Sequence, residues 1–183
     1  MDDEEPYEGK IIVLHLVDVI REIGLDNIED AVIHPLKGSK VGCYYGCLLL
    51  RPKEFSIDPS SESPRILEDI IASIGGEPIE FPQKIECCGS FETVHNPTQI
   101  AAMGYRIIES ARKNGAEILT TMCPLCYFNL DRTQKIIKKT NPSFLPLPLF
   151  YHTELMAMAI LPEEISLKEN VELNSTVLER IYS

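Results

Sequence analysis

Six cysteines are the residues of this chain best suited to chemistry, and two of them, Cys87 and Cys88, stand side by side in IECCGSF. Adjacent cysteines scarcely meet the geometry of a bond to each other, so a structural disulfide between them is a poor explanation. Cys43 and Cys47 precede them, and Cys123 and Cys126 follow in TMCPLCYF. Spacers of 39 residues between Cys47 and Cys87 and 34 between Cys88 and Cys123 make three separate groups. Thiolates are nucleophiles and soft metal ligands. Zinc takes four ligands, usually from two paired knuckles. An iron–sulfur cluster takes several thiolates converging from different loops. One C-x-x-C, one adjacent pair and one or two single cysteines make poor knuckles. The pattern favours an iron–sulfur cluster, with zinc, a dithiol redox pair or unligated thiols left open.

Those groups can meet only if the fold brings them together, and the elements around them follow a regular order. Apolar residues at helical spacing over 11–23 predict a helix that Gly24 can end, and a short second helix fits around 26–33. SKVGCYY reads as a strand with Gly46 and Cys47 at its end. Residues 53–64 are rich in Ser and Pro and predict a mobile surface loop. PRILEDIIASIGG has Pro at the start and Gly at the end of a helix. EPIEFP is a short strand. NPTQIAAMGYRIIESARKNG is a long amphipathic helix capped by Asn96 and stopped by Gly115. AEILTT is a strand, and the segment from Cys123 to Thr140 is a helix with a basic last turn. LPLPLFY and HTELMAMAI give a last strand and a last helix.

This alternation predicts an α/β fold: a parallel sheet of about four strands with helices on both faces. Each cysteine group then falls at the C-terminal end of a strand. In open α/β sheets those ends form the ligand crevice, so the three groups should converge on one edge. The CPLC pair also opens a helix, where the dipole favours thiolates. The divisions expected are a helical extension over 1–35, a cysteine-rich domain over 36–161 and a polar tail over 162–183.

A length of 183 residues suits one domain with a sizeable core, and 44% hydrophobic residues is ordinary for a globular chain. A net charge of −11 argues against nucleic acid or an anionic membrane surface as partner. No apolar run is long enough to span a bilayer, and MDDEEPYEGK has none of the features of a signal peptide. The expectation is a cytoplasmic protein whose thiols stay reduced, which again points to metal or redox chemistry.

YYGCLLLRP, CCGSF and TMCPLCYFNLD together resemble the cysteine-rich CCG domain of heterodisulfide reductase B subunits, from about Leu36 to about His152. VLHLVDVIREIGL resembles the helices entering the second, C-terminal CCG domain of such subunits. The resemblance implies a non-cubane [4Fe–4S] cluster held by Cys47, Cys87, Cys88, Cys123 and Cys126. It implies reductive cleavage of a disulfide joining two thiol coenzymes, of the CoM-S-S-CoB type in methanogenesis, within a complex containing an iron–sulfur C-type subunit and a flavin-containing A-type subunit. Because the family's subunits carry two CCG domains and this chain one set of cysteines, a second CCG-domain chain is a further expected partner. Related CCG domains serve other electron-transfer subunits, thiol:fumarate reductase among them. The competing readings are a zinc-binding or structural module and a dithiol oxidoreductase using Cys123 and Cys126.

Cys43 lies outside the five-cysteine pattern, and packing in the core is the expected role. His152 follows the last strand, so it is a candidate substrate or cluster contact, against a backbone-bonded imidazole. Arg51 is a candidate for holding a substrate anion, against a surface ion pair. His95 and Asn96 read as a loop leading to a helix cap, and His15 and His34 as structural or surface residues. Gly89 reads as a position of close backbone approach or positive φ. Met156 and Met158 read as core or subunit contact.

Overall fold

The computed structural model describes residues 8–92 and 95–161 of the chain. Expectations for the first seven residues and for the tail from 162 onward lie outside the described residues. Four strands form one parallel sheet: β1 (Lys40–Tyr44), β2 (Glu77–Ile79), β3 (Ile118–Thr121) and β4 (Leu149–Tyr151). Their order across the sheet is β2-β1-β3-β4, so the chain steps outward from β1 to β2, then crosses back to the other side of β1. The reversal puts a switch point between β1 and β3, the place where open α/β sheets leave a crevice at their carboxyl edge.

Alternation along the strands separates two cores. Cys43 and Tyr45 lie in one with Ile118 and Phe150, and Tyr44 lies in the other with Leu119 and Leu149. The first core is covered by α1 (Leu16–Ile23), α2 (Leu25–Asp30), α3 (Ile66–Ser73) and α6 (His152–Ile160), through residues such as Val17, Ile28, Ile70 and Leu155. The second is covered by α4 (Pro97–Lys113) and α5 (Pro124–Thr140), through Ile107, Ile108 and Leu130. Helices therefore flank both faces, as the alternation predicts. The Met158 side chain is fully buried in the first core.

The first helix is shorter than the apolar periodicity suggests. Residues 11–15 are not helical, and Ile11, Ile12 and Val13 are largely exposed. The helix begins where His15 Nδ1 accepts from Val17 N–H, a side-chain cap that hydrophobic spacing does not reveal. Gly24 ends it with φ at +87°, as expected of a glycine stop. The second helix likewise ends at Asp30 instead of continuing to residue 33. Asn96 caps α4 by accepting from Gln99 N–H.

The Ser- and Pro-rich segment over 53–64 is an organised turn, not the mobile loop that its composition suggests. Asp58 is buried and accepts backbone N–H bonds from Ser60 at 2.8 Å, Arg65 at 2.9 Å and Ile66 at 3.0 Å. Burial alone would raise its pKa, but these three donors win and hold the carboxyl below its ordinary value. A folded-state pKa below the unfolded one means stability that is present above the unfolded value and lost as pH falls through the folded one. Asp58→Ala is expected to lower unfolding stability at neutral pH by about 1–3 kcal/mol, as orphaned donors do. In urea titrations the gap between variant and parent should narrow as the pH drops below about 4, near the ordinary aspartate value. An unchanged gap would contradict the charged contact.

Candidate metal centre

The carboxyl ends of β1, β2 and β3 lead into three segments that carry cysteines. Beyond β1 the chain turns at Gly46, with φ at +71°, and presents Cys47. Beyond β2 a short helical turn, Pro82–Ile85, delivers Cys87 and Cys88. Beyond β3, Cys123 is the N-cap of α5 and Cys126 lies in its first turn. Lys84 O accepts from Tyr45 N–H and Gly46 N–H, which joins the first two segments before either reaches its cysteine.

Four sulfurs lie around Tyr44, and the fifth, that of Cys123, joins the group through Cys126. Its buried phenol is raised in pKa first by burial and then by the neighbouring charges of Cys126, Cys88, Cys87 and Cys47. Cys88 Sγ lies 3.6 Å from Cys126 Sγ. Cys126 also bonds Cys123, and Tyr151, at the end of β4, senses both of these sulfurs. Cys47 faces Cys87. Gly89 N–H donates to Cys87 Sγ at 3.3 Å, and Gly89 has φ at +81°. All six cysteines are free.

The thiols are not equivalent. A hydrogen bond from Cys126 outweighs burial at Cys88 and lowers it to about 6, with Ser90 and Asn129 adding to the effect. Cys123 is likewise lowered to about 6, first by Cys126 and then, against burial, by amides of the first turn of α5. Cys126 is pushed up strongly by its hydrogen bonds with Cys123 and Cys88 and by burial. Cys47 is raised to about 11, by burial and then by Cys87. Cys88 and Cys123 are therefore the readier to ionise, and ligation by Cys126 or Cys47 must displace a proton.

Cys43 is not part of this group. Its side chain is fully buried in the opposite core, 3.8 Å from Val41 O, and burial raises its pKa well above the ordinary thiol value. The turn at Gly46 explains why Cys47 does not share its face, since the strand ends at Tyr44. His152 is buried, and the backbone of Thr121, at the end of β3, is its nearest hydrogen-bonding group. Burial lowers its pKa to about 4, and the nearby charged group that acts on it is His15, not a cysteine. Arg51 is exposed and pairs with Glu62 at 3.8 Å. The surface ion pair is thus the contact seen for Arg51.

Sequence reasoning missed Tyr44, Asn129 and Gly46 as parts of the site. Asn129 lies three residues after Cys126 and donates from Nδ2 to Cys88 O while fully buried. A polar residue on the buried face of α5 was the available signal. At Gly46 a β-carbon would stand 2.7 Å from Cys126 Sγ, so the absent side chain makes room for sulfur. Among the described residues, no three Cys, His, Asp or Glu side chains sit close enough together to share one metal ion. No helix among those residues is long and apolar enough to cross a membrane.

Residues 41–131 match the model of the CCG family, a cysteine-rich domain. The 8-methylmenaquinol:fumarate reductase membrane anchor subunit of Wolinella succinogenes is 32% identical over 90% of this chain and 58% of its own length. The B subunit of the ferredoxin/F(420)H(2)-dependent CoB-CoM heterodisulfide reductase of Methanosarcina acetivorans is 23% identical over 96% of this chain and 60% of its own length. A protein of Archaeoglobus profundus, described as like the B subunit of heterodisulfide reductase, is 24% identical over 87% of this chain and 56% of its length. The chain thus spans about three fifths of the length of the curated relatives it matches.

The crowding at residue 46 yields a direct test. Gly46→Ala meets both a positive φ and a sulfur, whereas Gly115→Ala, with φ at +95°, meets open space. Backbone strain alone costs on the order of 1–3 kcal/mol at either position. Gly46→Ala is expected to lose more stability than Gly115→Ala in the reduced, metal-free protein, measured by denaturant unfolding. Equal losses would show that sulfur does not press on this backbone.

Proposed function

Since residues 41–131 of this chain belong to the CCG family of cysteine-rich domains, we propose that Cys47, Cys87, Cys88, Cys123 and Cys126 together hold a non-cubane [4Fe–4S] cluster in an electron-transfer subunit of the heterodisulfide reductase type. The observation that carries this reading is the gathering of five sulfurs from three strand-end segments, with the sixth turned into the opposite core. Such a donor set suits a group of several irons. A single zinc ion would instead need four ligands drawn onto one point. When bound, the cluster would pass electrons singly from the partner subunits to a disulfide, which two electrons and two protons convert to two thiols.

The residues of the chain have separate tasks in this reading. Cys88 and Cys123 offer sulfurs that ionise near pH 6, so they stand ready at neutral pH. Cys126 and Cys47 give up protons on ligation. Cys87 and Cys88, being adjacent, would offer the cluster two thiolates from one segment. Gly46 keeps the space into which Cys126 Sγ fits. His152, which burial keeps neutral at pH 7, has no proton-transfer role in this reading.

The disulfide proposed as substrate is of the CoB-CoM type named in the Methanosarcina relatives. The partners proposed are an iron–sulfur C-type subunit, a flavin-containing A-type subunit and a second CCG domain that completes the substrate site. A cytoplasmic location accords with six reduced cysteines. A second reading is favoured by the 32% identity to the Wolinella protein: the same cluster would serve a fumarate reductase-like complex. Anaerobic assays of the native complex with reduced viologen dye separate the two, since one oxidises the dye with the heterodisulfide and the other with fumarate.

Single Ser replacements test the ligand set. Replacing Cys47, Cys87, Cys88, Cys123 or Cys126 is expected to reduce cluster occupancy or change its paramagnetic resonance spectrum. Cys43→Ser is expected to leave both unchanged and to cost on the order of 1 kcal/mol in packing. A spectrum lost with Cys43→Ser and kept with Cys47→Ser would overturn the assignment.

A further inference from the structure

We propose that Tyr44 and Asn129 are positioning residues that clamp the Cys87–Cys88 dipeptide at its two ends and so set the directions of both sulfurs. The proposal rests on the reading that these sulfurs ligate a cluster. Tyr44 OH donates to Glu86 O at 2.7 Å, and Asn129 Nδ2 donates to Cys88 O. One carbonyl lies just before the pair and the other closes it. Both donor side chains are fully buried.

The sources of the two bonds matter as much as their targets. Tyr44 ends β1, three residues before Cys47, and Asn129 lies on α5, three residues after Cys126. The pair itself lies in neither strand nor helix, so no ladder of backbone bonds fixes it. Its orientation is taken from the strand that leads to Cys47 and the helix that carries Cys126. Gly89 N–H also donates to Cys87 Sγ at 3.3 Å.

Packing alone does not call for these groups. A phenylalanine would fill the space of the Tyr44 ring, and a leucine that of Asn129 while suiting a helix better. Buried polar atoms impose a desolvation cost unless bonded, and here each bond ends on the cysteine segment. Partners of this kind that orient metal ligands typically change metal affinity 10–100-fold when removed.

The test uses the full chain, reduced and handled without air, as parent, Tyr44→Phe, Asn129→Leu and Ile107→Val. Ile107 is a fully buried residue of the same core and serves as the packing control. Each protein is loaded with ferrous iron and sulfide, then challenged with an iron chelator. Tyr44→Phe and Asn129→Leu are expected to lose iron about 10–100-fold faster than the parent and to show shifted resonance spectra. Ile107→Val should match the parent in both. In the metal-free proteins, the ratio of Cys87 to Cys88 alkylation by iodoacetamide should change in the two clamp variants and not in the control. Unchanged alkylation ratios in both clamp variants overturn the clamp, as do iron loss and spectra equal to those of the control. Should Asn129→Leu fail to fold, Tyr44→Phe decides by itself. If the parent takes up no iron and sulfide, the cluster reading fails, and the alkylation ratio still decides whether the pair is clamped.

Discussion

Sulfur packed against bare backbone is the contact on which the rest of this site depends. Cys126 Sγ occupies the space that a side chain at residue 46 would fill, so the turn after β1 lies closer to α5 than an ordinary residue there permits. That approach brings Cys126 within 3.6 Å of Cys88 and closes the group around the ring of Tyr44. The positive φ at Gly46 does a second task, since it turns the chain out of the strand before Cys47. One glycine thereby separates the two early cysteines, sending Cys47 to the crevice and leaving Cys43 in the opposite core.

The two faces of the sheet divide the work. One face carries the sulfur group, with α4 and α5 packed over it. The other holds a buried polar network in which Lys84 Nζ donates to Glu68 Oε1 at 2.7 Å and Tyr45 OH donates to Glu68 Oε2. Burial would lower the pKa of Lys84, but its bonds to Glu68 and Glu80 prevail and raise it. Removing one member of such a pair leaves the other charge buried and uncompensated, so it ties the parts it joins firmly together. Those parts are α3 and the turn leading to Cys87, and Lys84 O also holds the end of β1. The network thus supports from behind the same strand ends that present cysteines in front.

Much of this order was legible in the sequence. Alternating strand and helix patterns gave the parallel sheet, and placing the cysteines after strands gave their convergence at one edge. What stayed hidden has physical reasons. Residues 11–15 keep helical spacing but lack a helix, because the cap at His15 fixes where the first turn starts. The Ser- and Pro-rich segment reads as mobile because composition does not show that Asp58 collects three amides. His152 follows a strand, and its ring is buried where the backbone of Thr121 and the charge of His15 act on it. Tyr44 and Asn129 act through backbone carbonyls distant in sequence, and no spacing rule records such partners.

If the gathered sulfurs hold iron and inorganic sulfide, the native protein purified without air must contain both. Elemental analysis decides this when iron, zinc and acid-labile sulfide are counted on the same sample. Iron and labile sulfide are expected in roughly equal amounts, close to four of each per chain, as a [4Fe–4S] cluster requires. About one zinc per chain with no labile sulfide would refute the cluster.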